Sequence, residues 1–119
     1  MIGGNIKGVL QVNVPDENEI GESVSKWHNL IELTGWIDMA SGDSAYQNYN
    51  AKIQESTHVF LCDYKPIPTA LSVEGKNIPV TAENARMLVN SKPYDVKYID
   101  NPMELNKQLE IYLKYTGGV

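Results

Sequence analysis

The chain has 119 residues, 42% of them hydrophobic and 21% charged, which is one domain's worth of sequence and excludes a wholly disordered chain. A single cysteine, Cys62, excludes an intramolecular disulfide scaffold and points to a reducing compartment; no apolar run approaches the roughly 20 residues of a membrane span. The net charge of −5 lies entirely in residues 1–59, where Lys7, Lys26 and Lys52 face eight acids, so a surface that gathers phosphate is disfavoured.

Residues 1–10 carry three glycines and a lysine, unlike the core of a signal peptide. Period-two alternation then dominates. Ile6, Gly8, Leu10, Val12 and Val14 share one face of a strand that Pro15 and Asp16 end, and the acidic stretch to Gly21 reads as a turn. Residues 24–31 form a weaker strand, with Trp27 and Ile31 on one side and Val24 and Leu30 on the other. Residues 33–40 form another, with Leu33, Ile37 and Met39 facing one way.

Residues 41–54 (SGDSAYQNYNAKIQ) are polar and match no strand. A connection of that length inside a small domain is usually functional or disordered, and Tyr46 and Tyr49 offer contact surface at low entropic cost. Residues 57–64 return to a β-branched and aromatic strand. Pro66 and Pro68 rule out a central strand there, residues 71–80 suit a hairpin turning at Glu74 to Asn77, and Asn90 to Pro93 separate two further strands. On the second of these, Tyr94, Val96 and Tyr98 face away from Asp95 and Lys97.

The last segment supports two assignments. Leu109, Ile111, Leu113 and Tyr115 alternate as in a strand, whereas Asn101-Pro102-Met103-Glu104 has the cap, proline and carboxylate of a helix start. The unbroken alternation favours the strand, and a short C-terminal helical turn is the alternative for residues 102–115. The expected fold is therefore mainly all-β: a single domain over residues 1–119, a small antiparallel barrel with long loops.

Candidate chemistry is sparse. His58, Cys62 and Asp63 form the one cluster with metal-ligating atoms, but Asp63 points away from the other two on a strand, so no metal and no cofactor are expected. Cys62 within an apolar strand reads as packing, and no Gly-x-Ser-x-Gly elbow or phosphate loop is present. Catalysis needs several convergent groups, so the chain is not expected to be an enzyme.

The order of motifs is informative. Gly35-Trp36-Ile37-Asp38 precedes Ser41-Gly42 and the polar loop, followed by Glu55-Ser56-Thr57-His58-Val59 and Cys62-Asp63-Tyr64. Residues 84–96 (NARMLVNSKPYDV) come next, then Ile99-Asp100-Asn101-Pro102 and Leu109-Glu110-Ile111. Over residues 5–116 this order resembles the head–tail joining (head-completion, or stopper) proteins of tailed bacteriophages and prophages. The departure is residues 65–84, longer than that family's pattern.

The resemblance implies a small β-barrel assembling as a ring in the virion neck, made in the bacterial host's cytoplasm. Portal or adaptor proteins and tail proteins would be its partners, with DNA passing through without sequence-specific binding and no membrane involved. It further implies that the polar loop faces the channel, which makes Ser41, Gly42, Asp43, Tyr46, Tyr49 and Asn50 candidates for channel lining and assembly. Tyr46 and Tyr49 would meet neighbouring loops, and Asp43 would face DNA without holding it. Such a subunit is expected to be monomeric in dilute solution. The alternative is a peptide- or protein-binding barrel module that uses Trp27, Trp36 and exposed tyrosines as a groove; within phage biology, an adaptor or tail terminator is the neighbouring possibility.

Overall fold

The alternating segments become strands and the polar punctuation becomes turns. A computed structural model describes residues 3–17, 20–21, 23–39 and 56–115, and eight strands form among the described residues. They are β1 (Ile6–Glu17), β2 (Ser23–Met39), β3 (His58–Asp63), β4 (Ala70–Val73), β5 (Lys76–Pro79), β6 (Ala85–Val89), β7 (Lys92–Asp100) and β8 (Gln108–Lys114). Two 3₁₀ turns, Ala82–Asn84 and Pro102–Glu104, precede β6 and β8. Every pairing is antiparallel, so the mainly β class is the one expected.

Six strands pair in the ring order β1–β2–β3–β8–β7–β6, with β6 returning to β1. The closing seam is short, joining Gly8, Val9, Leu10, Gln11 and Val12 to Val89, Leu88, Met87, Arg86 and Ala85. Beyond it, among the described residues, residues 13–17 of β1 pair only with residues 23–27 of β2. The ring thus closes at one level and continues past it as a two-stranded ribbon. Strands β4 and β5 form a separate hairpin.

The ring encloses the core. Leu10, Val12, Phe60, Met87, Ile111 and Leu113 are all at or below 2% exposure, with Leu33, Cys62, Val89 and Val96 beside them. Phe60 and Met87 converge on Gly8, the one inward position of β1 without a side chain. Truncating a buried aromatic such as Phe60 would cost about 3–5 kcal/mol, because the packed surroundings collapse only in part.

Four expectations are corrected. Strand β1 does not stop at Pro15, because past the seam its outer edge carries no ladder among the described residues and a missing N–H costs nothing on that edge. Residues 24–31 and 33–40 are one strand, not two: β2 absorbs Leu30 as a bulge between Leu10↔Ile31 and Gln11↔Asn29. The bulge flips parity, so Trp27 lies on the outer face with Asn29 while Ile31 turns inward with Leu33. A second bulge at Lys97, between Val96↔Leu113 and Tyr98↔Tyr112, moves Tyr98 off the Tyr94–Val96 face to the outside. At the C-terminal segment strand and turn coexist: Asn101 makes no side-chain cap but clamps Asn106 through Nδ2 to Oδ1 (2.7 Å), and β8 follows.

Both two-residue hairpins use left-handed residues, Glu74 and Gly75 between β4 and β5, and Asn90 and Ser91 between β6 and β7. Positive φ at both loop positions matches the twist of the flanking strands.

Within the strands, Gly8 and Gly35 both sit in close contact with neighbours, and they are not equivalent. A Cβ on Gly35 would stand 2.0 Å from the Leu61 carbonyl oxygen, whereas one on Gly8 would meet the end of Met87 at 3.1 Å. Gly35→Ala is expected to cost about 2–3 kcal/mol, or roughly 10 °C in melting temperature, because backbone must move. Gly8→Ala is expected to cost less than about 1 kcal/mol, because a methionine tip can yield. Thermal unfolding followed by circular dichroism checks the order.

Candidate functional site

Met39 and His58 are direct cross-strand partners, so the chain leaves the sheet after β2 and re-enters it at the same place. At this rim His58 is fixed from several sides. Its ring meets Tyr94 edge to face with centroids 5.3 Å apart, and Tyr94 in turn lies 5.2 Å from Tyr115. Thr57 Oγ1 accepts the Tyr115 N–H (2.7 Å) and lies 2.8 Å from His58 Nδ1, while the Thr57 N–H donates to the Leu113 carbonyl. The base of the connection is therefore an aromatic and hydrogen-bonded collar, with Met39 exposed beside it. The sequence candidates Ser41, Gly42, Asp43, Tyr46, Tyr49 and Asn50 lie outside the described residues.

The outer surface of β2, β3, β8 and β7 carries a second feature. Directly opposed residues share a face, so Trp36, Leu61, Glu110 and Asp100 form one row, and Asp38, Val59, Tyr112 and Tyr98 form the next. Glu110 is held at both oxygens: the Tyr112 hydroxyl donates to Oε1 and Gln108 Nε2 donates to Oε2, each at 3.0 Å. Asp100 stands opposite it, and two like charges in register repel. Desolvation and the Glu110 charge raise the Asp100 carboxyl above its usual range, and desolvation together with Glu110 keeps the Tyr112 phenol protonated well into alkaline pH. Trp36 is 46% exposed at the end of this acidic and aromatic face.

The outer surface at the β6–β1 seam is built around a cation. Across β2, β1, β6, β7 and β8 the row is Asn29, Gln11, Arg86, Asp95 and Lys114, and beside it run Glu32, Val9, Leu88 and Pro93. Arg86 Nε donates to Gln11 Oε1 (2.8 Å), and Gln11 Nε2 donates to Asn29 Oδ1 (2.7 Å). The guanidinium carbon lies 4.2 Å from the centroid of the Trp27 ring, a cation–π contact. Burial lowers its pKa but leaves it charged. Arg86 is thus oriented by an aromatic face and a relayed amide, with its Nη nitrogens unpartnered among the described residues.

Sequence reasoning passed over this cluster, although Arg86 is the one arginine in the chain and that rarity was a signal. It also placed Trp27 with Ile31, because the bulge at Leu30 leaves no trace in the pattern.

An apolar cavity and a buried thiol accompany these surfaces. An apolar cavity of about 210 Å³ lies where residues 67 and 80–82 cover the ring, lined by Leu10, Leu30, Ile67, Val80, Ala85 and Ile99. Cys62 is buried between Gly35 and Leu109, and burial, aided by Asp63, pushes its thiol up to about 11. Among the described residues no group of three or more His, Cys, Asp or Glu side chains converges as metal ligands would.

No family model matches the chain, and neither does any curated protein.

Two outcomes follow from these environments. Asp100→Asn is expected to stabilise the fold at neutral pH by less than about 1 kcal/mol, since the acid is partly exposed. A raised folded pKa means the charged form is penalised above that pKa, and the penalty vanishes below the unfolded value of 3.8, so the gain should disappear in acid. Melting curves between neutral and acidic pH read this directly. Cys62, in turn, is expected to resist a thiol-specific chromogenic reagent in the folded protein and to react in urea; fast labelling without denaturant would contradict its buried, protonated state.

Proposed function

We propose that the chain is a structural protein of the neck of a tailed phage or prophage, forming a ring between the portal or its adaptor and the tail. The ring closes the DNA-filled head and gives the tail its platform. It catalyses nothing, uses no cofactor, and lets DNA pass without reading its sequence.

The observation that carries this reading is the connection between β2 and β3. Met39 and His58 pair directly, so a two-residue turn would join these strands, yet residues 40–57 lie between them. A long polar insertion at one point of a small ring of strands, based on the His58–Tyr94–Tyr115 collar, suits a subunit that presents one segment toward a shared bore. The net charge of −5 suits a channel that DNA must leave freely.

A second reading, a protein-binding module, draws support from the exposed Trp36 beside Leu61 and Val59, an aromatic patch on strands rather than in the long insertion.

Both readings meet one experiment. The purified protein is mixed with DNA-filled heads that carry portal and adaptor and imaged for an added ring, beside a variant lacking residues 43–51. The intact chain is expected to add a ring and retain DNA, while the shortened chain binds and leaks. A well-folded chain that ignores heads overturns the neck assignment in favour of the binding module.

A further inference from the structure

The two outer faces described above are centred on different parts of the ring. In the order β1–β2–β3–β8–β7–β6, the first is built around the β6–β1 seam and the second around β8 and its neighbours β7 and β3. One side carries Arg86, aimed by Trp27 and Gln11, with Val9 and Leu88 beside it. The other carries the opposed carboxylates Asp100 and Glu110, with Leu61 and Trp36 in the same row.

We propose that these two faces are the two halves of one contact between copies of this chain, the Arg86 face of each subunit docking on the Asp100–Glu110 face of the next. The proposal rests on the ring reading and names the surfaces that would build the ring. A contact between two different patches of a subunit is heterologous and propagates, so it closes into a ring when its rotation allows.

The occupant is argued from complementarity. Glu110 has both oxygens engaged by its own strand, which fixes where its charge points. Asp100 has no hydrogen-bond or ion-pair partner among the described residues, and it faces Glu110 in register. That like-charge pair is costly in the isolated chain and is relieved by an external cation. On the other face, stacking and the Gln11 bond hold the guanidinium still while leaving its two Nη nitrogens, the fork that fits a carboxylate. Asp95 beside Arg86 is flanked on its far side by Lys114, so cations outnumber acids along that row. Apolar side chains border the charges on both faces, as in interfaces whose charged pairs set register.

The test uses the whole chain alone, by sedimentation velocity up to about 1 mM at low salt, conditions that register a weak contact. The wild-type protein is expected to self-associate. Arg86→Glu and Asp100→Arg are each expected to weaken association more than about tenfold, because each places like charges face to face. A 1:1 mixture of the two variants is expected to recover it, since alternating copies restore one native contact and one reversed contact. Arg86→Gln, which keeps the stem and a hydrogen-bonding end, should weaken association without reversal, and circular dichroism confirms that each variant folds.

Single variants that associate like the wild type, or a mixture that fails to recover, overturn the pairing of these faces. A wild-type chain monomeric throughout overturns it as an intrinsic contact. None of these results touches the neck assignment, which the head-binding experiment judges separately.

Discussion

Gly35 is the corner on which the architecture depends. It is the partner of Ile6 on one side and of Cys62 on the other, the position where the ladder to β1 ends and the ladder to β3 begins. On one side of this residue β2 belongs to a long ribbon with β1; on the other it belongs to the wall shared with β3. The strands approach so closely here that a Cβ would meet the Leu61 carbonyl oxygen and the Cys62 Cβ. A side chain would hold β3 away from β2 and open the wall that β3 continues to β8. Glycine is required by space rather than by an unusual backbone angle.

Two bulges then decide what each face of the ring presents. The extra residue at Leu30 turns the ribbon half of β2 so that Trp27 and Asn29 lie outside while Ile31, Leu33 and Ile37 serve the core. The extra residue at Lys97 lets Ile99 join the core and sends Tyr98 outward beside Tyr112. Without the first, Arg86 would lack its aromatic platform; without the second, Asp100 would not oppose Glu110. Leu30 and Lys97 both line the apolar cavity, so the two irregularities frame the same end of the core. Bulges bend and twist a strand, and a small ring needs that curvature to close over so short a seam.

Much of the inner surface was legible before any coordinates. Leu10, Val12, Phe60, Cys62, Met87, Ile111 and Leu113 fall at alternating positions of β-rich segments, and each is buried. The turns read over Glu74 to Asn77 and Asn90 to Pro93 contain the observed ones, Glu74-Gly75 and Asn90-Ser91, because turn chemistry is local, while Lys76, Asn77, Lys92 and Pro93 already belong to strands. The face of Trp27, the face of Tyr98 and the continuity of β2 were not readable. Each turns on a single unpaired residue, and alternation read along one strand cannot show where a neighbour skips a partner.

The same division holds for the candidate sites. The polar insertion and its aromatic flank stand out in the chain because composition changes abruptly there. The clustering of Arg86 with Trp27, Gln11 and Asn29, and of Asp100 with Glu110, joins residues far apart in sequence through three ladders and two register shifts. By itself the sequence determined the strand-forming segments, the hairpin turns and the acidic balance, because propensity, turn chemistry and charge are properties of residues and their immediate neighbours. Only the tertiary structure decided which charges face one another and on which side of the ring, because register is set by packing between strands.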